Sequence, residues 1–140
     1  MGVPMFLVKL MDRPKLGKVK LGPEDLICID FANRLRAYTL DGRLSAVWCH
    51  IGNEIGGGHG RSSQIAYSIG KALGVISGFP DYVFLWRGGC GLLEFKSGTG
   101  TLSENQRWFK AWSELSSLPY EVVRSADDGE AILRRWGVLA

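Results

Sequence analysis

Between Pro80 and Lys96 the chain has few ways to fold. An apolar run, Tyr82-Val83-Phe84-Leu85-Trp86, precedes Arg87-Gly88-Gly89-Cys90-Gly91 and then Leu92-Leu93-Glu94-Phe95-Lys96. Two β-prone runs around a glycine-rich turn predict a tight hairpin, with its turn over 87–91. Strand alternation places Leu93 and Phe95 on one face and Leu92, Glu94 and Lys96 on the other. Glu94 and Lys96 therefore project the same way, their backbones about 7 Å apart at a rise of about 3.3 Å per residue. Asp81 opens the paired strand, so its carboxylate can reach the same space. Two carboxylates and an ammonium converging at one end of a hairpin can hold a hard cation and orient a water. That is the equipment for metal-assisted phosphodiester hydrolysis. A solvated strand face carrying an ordinary Glu–Lys pair is the plainer alternative.

The rest of the chain supplies the neighbours such a hairpin needs. Residues 1–22 join a short apolar run, Met5-Phe6-Leu7-Val8, to Lys9, Arg13, Lys15, Lys18 and Lys20. They read as an extended basic arm, partly a strand at most. Residues 23–140 read as one domain. Gly22-Pro23-Glu24-Asp25 opens a helix with proline and acids in its first turn, and Ile27, Phe31, Leu35 and Tyr38 form its apolar stripe. Residues 45–50 read as a strand. A helix from Ser62 to Leu73 carries Ile65, Ile69 and Leu73 at helical spacing. After the hairpin, Trp108, Trp112 and Leu115 mark another helix, with its tryptophans expected in the core. Residues 120–123 read as a strand, and Ala126-Asp127-Asp128 starts a last helix through Ile132, Leu133 and Trp136. The predicted order, α-β-α-β-β-α-β-α, fits an α/β fold with a mixed central sheet flanked by helices.

The order of motifs also resembles a known family. Gly52-Asn53-Glu54, a glycine-rich loop through Gly60, Arg61 at a helix start, Ala72-Leu73-Gly74, Gly78-Phe79-Pro80-Asp81, Glu94-Phe95-Lys96, Leu102-Ser103 and Gln106 follow one another. This succession resembles the virus-type replication-repair nuclease domain (VRR-NUC), a branch of the PD-(D/E)XK superfamily, over about residues 24–136. The loop from Asn53 to Arg61 is longer and richer in glycine than the family pattern.

The resemblance implies a restriction-endonuclease-like core and a metal-dependent DNA endonuclease. Asp81, Glu94 and the carbonyl of Phe95 would hold Mg²⁺ or Mn²⁺, with Lys96 catalytic beside them. Glu24 would be the first-helix glutamate near the metal, although an acid there also suits the helix dipole. Gln106 would touch the water or the phosphate. Ser103-Glu104-Asn105-Gln106 is also a capping box, so two roles compete for one side-chain amide. Asn53, Arg61 and Ser62 would contact the DNA backbone where a glycine loop feeds a helix N-terminus, as would Lys71. Lys71 and Arg107 also read as solvated helix-face residues, either able to touch a phosphate. The implied substrate is branched DNA such as four-way junctions, and the implied assembly a homodimer. A monomeric flap or single-strand-end nuclease, and a DNA-binding module with dispensable catalysis, are the alternatives.

Composition permits this without demanding it. A net charge of +3 over 140 residues allows a polyanionic partner. Cys28, Cys49 and Cys90 lack a CxxC spacing, and with His50 and His59 they match no common zinc site. Cys28 and Cys49 read as small hydrophobes in a helix and a strand, which with the lack of a signal peptide suggests a reducing, cytoplasmic setting, bacterial or phage-encoded. Met5-Phe6-Leu7-Val8 is too short to span a membrane. No Gly-Lys-Ser/Thr signature is present, so no nucleotide cofactor is expected.

Overall fold

Alternating apolar residues around a turn produce the central hairpin. In the computed structural model, which describes residues 5–9, 12–52 and 61–140 (side chains from 64 onward in the last segment), β2 (Tyr82–Trp86) pairs antiparallel with β3 (Gly89–Phe95). The turn is shorter than the glycine run suggests. Only Arg87 and Gly88 lie outside the strands, and Gly88 takes φ +83°, where a side chain would be strained. Gly89 and Gly91 are strand residues instead. Gly91 lacks a side chain because the Trp136 ring lies against its backbone, where a Cβ would collide.

On the hairpin's outer edges, β1 (Val47–His50) pairs antiparallel with β2, and β4 (Tyr120–Val123) pairs parallel with β3. The result is a four-stranded mixed sheet, β1-β2-β3-β4, flanked by helices. The helices are α1 (Met5–Val8), α2 (Pro23–Leu40), α3 (Arg61–Leu73), α4 (Glu104–Leu115) and α5 (Ala126–Arg135). From α2 onward the order is the one the sequence predicts. The N-terminal apolar run departs from it: Met5–Val8 forms a single helical turn rather than a strand, with Leu7 buried.

One sheet face carries the core. Register places Trp48, Phe84 and Gly91 side by side, and likewise Tyr82 and Leu93. The α2 stripe meets this face: Phe31 and Leu35 are fully buried, with the Phe31 ring 5.4 Å from Tyr82 and 4.9 Å from Phe95. Burying Phe31 is worth about 2–3 kcal/mol. Gly129 of α5 sits against that ring, and Leu133 completes the layer. Arg34, steadied by Asp30 on its own helix, ties α2 to α5 through Asp127 and Glu130. The Tyr82 hydroxyl, buried with its ring, donates to the carbonyl of Cys28 at 3.1 Å.

Among the described residues, the opposite face is covered over β3 and β4, by α4. Its inward side is Gln106, Phe109 and Ser113, with Phe109 packed on Phe79 and Tyr120. This corrects the expectation for the tryptophans. Trp108 and Trp112 are 68% and 55% exposed, because they lie on the helix arc beside the inward one and border an open groove over Val83, Leu85 and Leu92. Ile65, Ile69 and Leu73 of α3 are exposed as well, as is Leu85 on β2. Cys49 is exposed rather than a packed hydrophobe, since it lies on the uncovered half of this face; Cys28 is half-buried. Among the described residues no helix is long and apolar enough to cross a membrane.

Candidate active site

The β2–β3 pairing brings Asp81, Glu94 and Lys96 to one end of the hairpin. Asp81 lies just before β2. Its Oδ2 accepts a hydrogen bond from the backbone N–H of Phe95 at 2.7 Å, which locks it beside Glu94. Glu94 is only 1% exposed, because α4 lies over it. The Glu–Lys pair is therefore not a solvated strand face. Lys96 Nζ stands 3.5 Å from Glu94 Oε1 and 3.9 Å from Glu24 Oε1. Glu24 reaches this point because Pro23 starts α2 there, with Asp25 accepting from the Gly22 N–H at 3.3 Å.

Gln106 completes the capping box and also reaches Glu94. Its Oε1 accepts from the Ser103 N–H at 2.8 Å, while the Ser103 hydroxyl accepts from the Gln106 N–H at 3.2 Å. Its Nε2 donates to Glu94 Oε1 at 2.8 Å. The cap and the contact to Glu94 use opposite ends of one amide.

Burial dominates the electrostatics. It pushes the Glu94 carboxyl up to about 8, with the neighbouring Asp81 charge adding to the rise and Lys96 opposing it. Burial also raises Asp81, against the lowering effect of the Phe95 N–H. Glu94 Oε2 is buried and has no hydrogen-bond partner among the described residues. A buried carboxylate oxygen without a partner is costly unless a cation or a proton meets it. The donor set fits a hard divalent ion: two carboxylates whose remaining oxygens are Asp81 Oδ1 and Glu94 Oε2, plus the Phe95 carbonyl that the sequence pattern names. Among the described residues no group of three His, Cys, Asp or Glu side chains forms a ready metal cage. A cation here would rest on fewer side chains than that.

One neighbour escaped the sequence reading. His50 ends β1 opposite Tyr82, its ring 4.8 Å from the Tyr82 ring, and it lines a polar cavity of about 370 Å³ with Glu24, Asp25, Cys28 and Asp81. The pairing of β1 with β2 would have pointed to it. Of the expected DNA contacts, only the side chain of Lys71 is among those the structure describes. Asn53 lies outside the described residues, as do the side chains of Arg61 and Ser62. Lys71 sits on α3 with Nζ 5.2 Å from the Tyr67 ring of the same helix. Comparison of the chain with protein-family models, with curated proteins and with solved structures gives no match.

Proposed function

We propose that this chain is a divalent-metal-dependent DNA nuclease with a PD-(D/E)XK-type core, acting on branched DNA. The observation that carries this reading is Glu94: a buried carboxylate with one oxygen unpartnered among the described residues, beside Asp81 and Lys96. A purely structural role explains it poorly. A buried carboxylate that serves stability alone finds partners for both oxygens.

In this reading Asp81 and Glu94 hold Mg²⁺ or Mn²⁺ with the Phe95 carbonyl. The cation supplies charge stabilisation at the phosphate and makes a water a better nucleophile. Lys96 is held by Glu94 and Glu24 so that its ammonium faces the phosphate and offsets charge in the transition state. Gln106 fixes the Glu94 carboxylate, leaving Oε2 for the cation. His50 and Glu24 shape the polar cavity at the mouth.

The active unit is proposed to be a homodimer. The uncovered face presents Leu85, Trp108, Trp112, Leu115 and Ile76, each more than half exposed, and Ile65, Ile69 and Leu73 of α3 are exposed as well. Together these offer apolar area on the order of the ~800 Å² per partner that a stable interface buries. A two-fold pair also suits the near two-fold symmetry of a four-way junction. The test is a cleavage panel of linear, flap, splayed and four-way DNA with Mg²⁺ and with EDTA. Cuts confined to the Mg²⁺ arm, strongest on four-way DNA, are expected. Equal cutting in EDTA would defeat the proposal.

A further inference from the structure

A cavity with a basic lining lies beside the loop that follows Lys96. The loop over residues 97–102 leaves Lys96 and leads to the cap of α4 at Ser103, so it is anchored at both ends in the site. Between this loop and α4 is a cavity of about 460 Å³ lined by Thr101, Leu102, Arg107, Lys110, Glu114 and Arg124. Arg107, Lys110 and Glu114 share one helix face by their spacing. Arg124 enters from the end of β4. Three cations thus face one carboxylate.

The two guanidiniums are fixed in advance. Arg124 Nη1 donates to the carbonyls of Ser97 at 2.9 Å, Gly98 at 3.3 Å and Gly100 at 2.8 Å. Arg107 Nη1 donates to the Leu102 carbonyl at 2.8 Å. An arginine carries five donors. Among the described residues, Nε and Nη2 of both arginines make no hydrogen bond. Lys110 is exposed and its ammonium has no carboxylate partner among the described residues. Pre-oriented guanidiniums with spare donors suit an oxyanion that can accept several hydrogen bonds.

We infer that this cavity binds a backbone phosphate of the nucleic-acid strand, flanking the one that is cut. The inference rests on the nuclease reading for the identity of the strand. Arg124 also holds the loop that follows Lys96, so a phosphate bound there would be tied through the same loop to the position of Lys96.

The experiment measures binding of a branched DNA by fluorescence anisotropy in Ca²⁺, over a range of salt, for wild type, Lys110→Ala and Arg107→Ala. Each variant should lower the salt slope by about one unit, regardless of sequence. Neutral methylphosphonates are then placed at successive phosphates. One position near the cut should weaken wild-type binding but leave Lys110→Ala indifferent, since the charge it met has gone. Salt slopes and methylphosphonate profiles identical to wild type in Lys110→Ala and Lys110→Glu would overturn the phosphate site, with metal-dependent cleavage by the wild type still standing. A wild type that shows the profile but never cuts would remove the nuclease reading and keep the site. A wild type that does not bind DNA would overturn both.

Discussion

Gln106 and Glu94 are joined by a 2.8 Å hydrogen bond from the side-chain amide to Oε1, while the other end of that amide caps α4 at Ser103. Helix start and active-site carboxylate are thereby one unit. Changing Gln106 to Glu should separate the two functions. Glutamate at this position still completes a capping box, so thermal stability should fall little. It places a third carboxylate against Glu94, so cleavage should drop by at least about 10-fold, as for loss of a charge-orienting contact. Gln106→Ala should lower both. Melting curves and turnover measured on the same preparations check this.

Glu94 makes stability depend on pH in an unusual direction. Its folded value near 8 lies above the ordinary 4.5, so the folded state holds the proton more tightly. This contribution is fully present below about pH 4.5 and is lost as pH rises through about 8. Metal-free Glu94→Gln should therefore melt above wild type at pH 8.5, with the difference shrinking toward pH 5. Mg²⁺ should raise the wild-type melting temperature at pH 8.5 and leave the variant unmoved. Parallel pH dependence in the two proteins would show that Glu94 is not the titrating group.

The glycines under aromatic rings should be intolerant of side chains. A Cβ at Gly129 would meet the Phe31 ring at 2.6 Å, in the centre of the core. Gly129→Ala is expected to cost about 1–3 kcal/mol by overpacking, read from urea midpoints. Gly98→Ala, where a Cβ meets nothing, is the matched control.

The exposed face should hold two chains together. Light scattering at micromolar concentration should give twice the 15.4 kDa chain mass. A Trp108→Lys, Leu85→Lys double variant should give one chain mass with its fold retained, since both side chains are more than half exposed. A wild-type monomer with and without junction DNA would turn the reading toward a flap nuclease.

The hairpin was legible because alternation and glycine act over neighbouring residues. Once β2 and β3 pair, Asp81, Glu94 and Lys96 must meet at one end. The turn's length was not legible, because Gly89 and Gly91 are glycines for the sake of Trp86 and Trp136, and Trp136 is far away in sequence. Nor was the orientation of α4. Trp108 and Trp112 form one apolar arc and Phe109 with Ser113 another, and helical periodicity cannot say which faces the sheet. His50 entered the site only through the β1–β2 register. The burial of Glu94 depends on α4 crossing it, which no local pattern near Glu94 encodes.

If Asp81, Glu94 and Lys96 act together on a phosphodiester, losing either end of the trio should all but stop cleavage. The decisive experiment is single-turnover cleavage of a four-way junction in Mg²⁺ by wild type, Asp81→Ala and Lys96→Ala, with binding measured in Ca²⁺. Both variants should cut at least about 10²-fold more slowly, as for loss of a key electrostatic contact, while DNA affinity largely survives. Wild-type cleavage rates in Asp81→Ala, or full wild-type activity in EDTA, would contradict it.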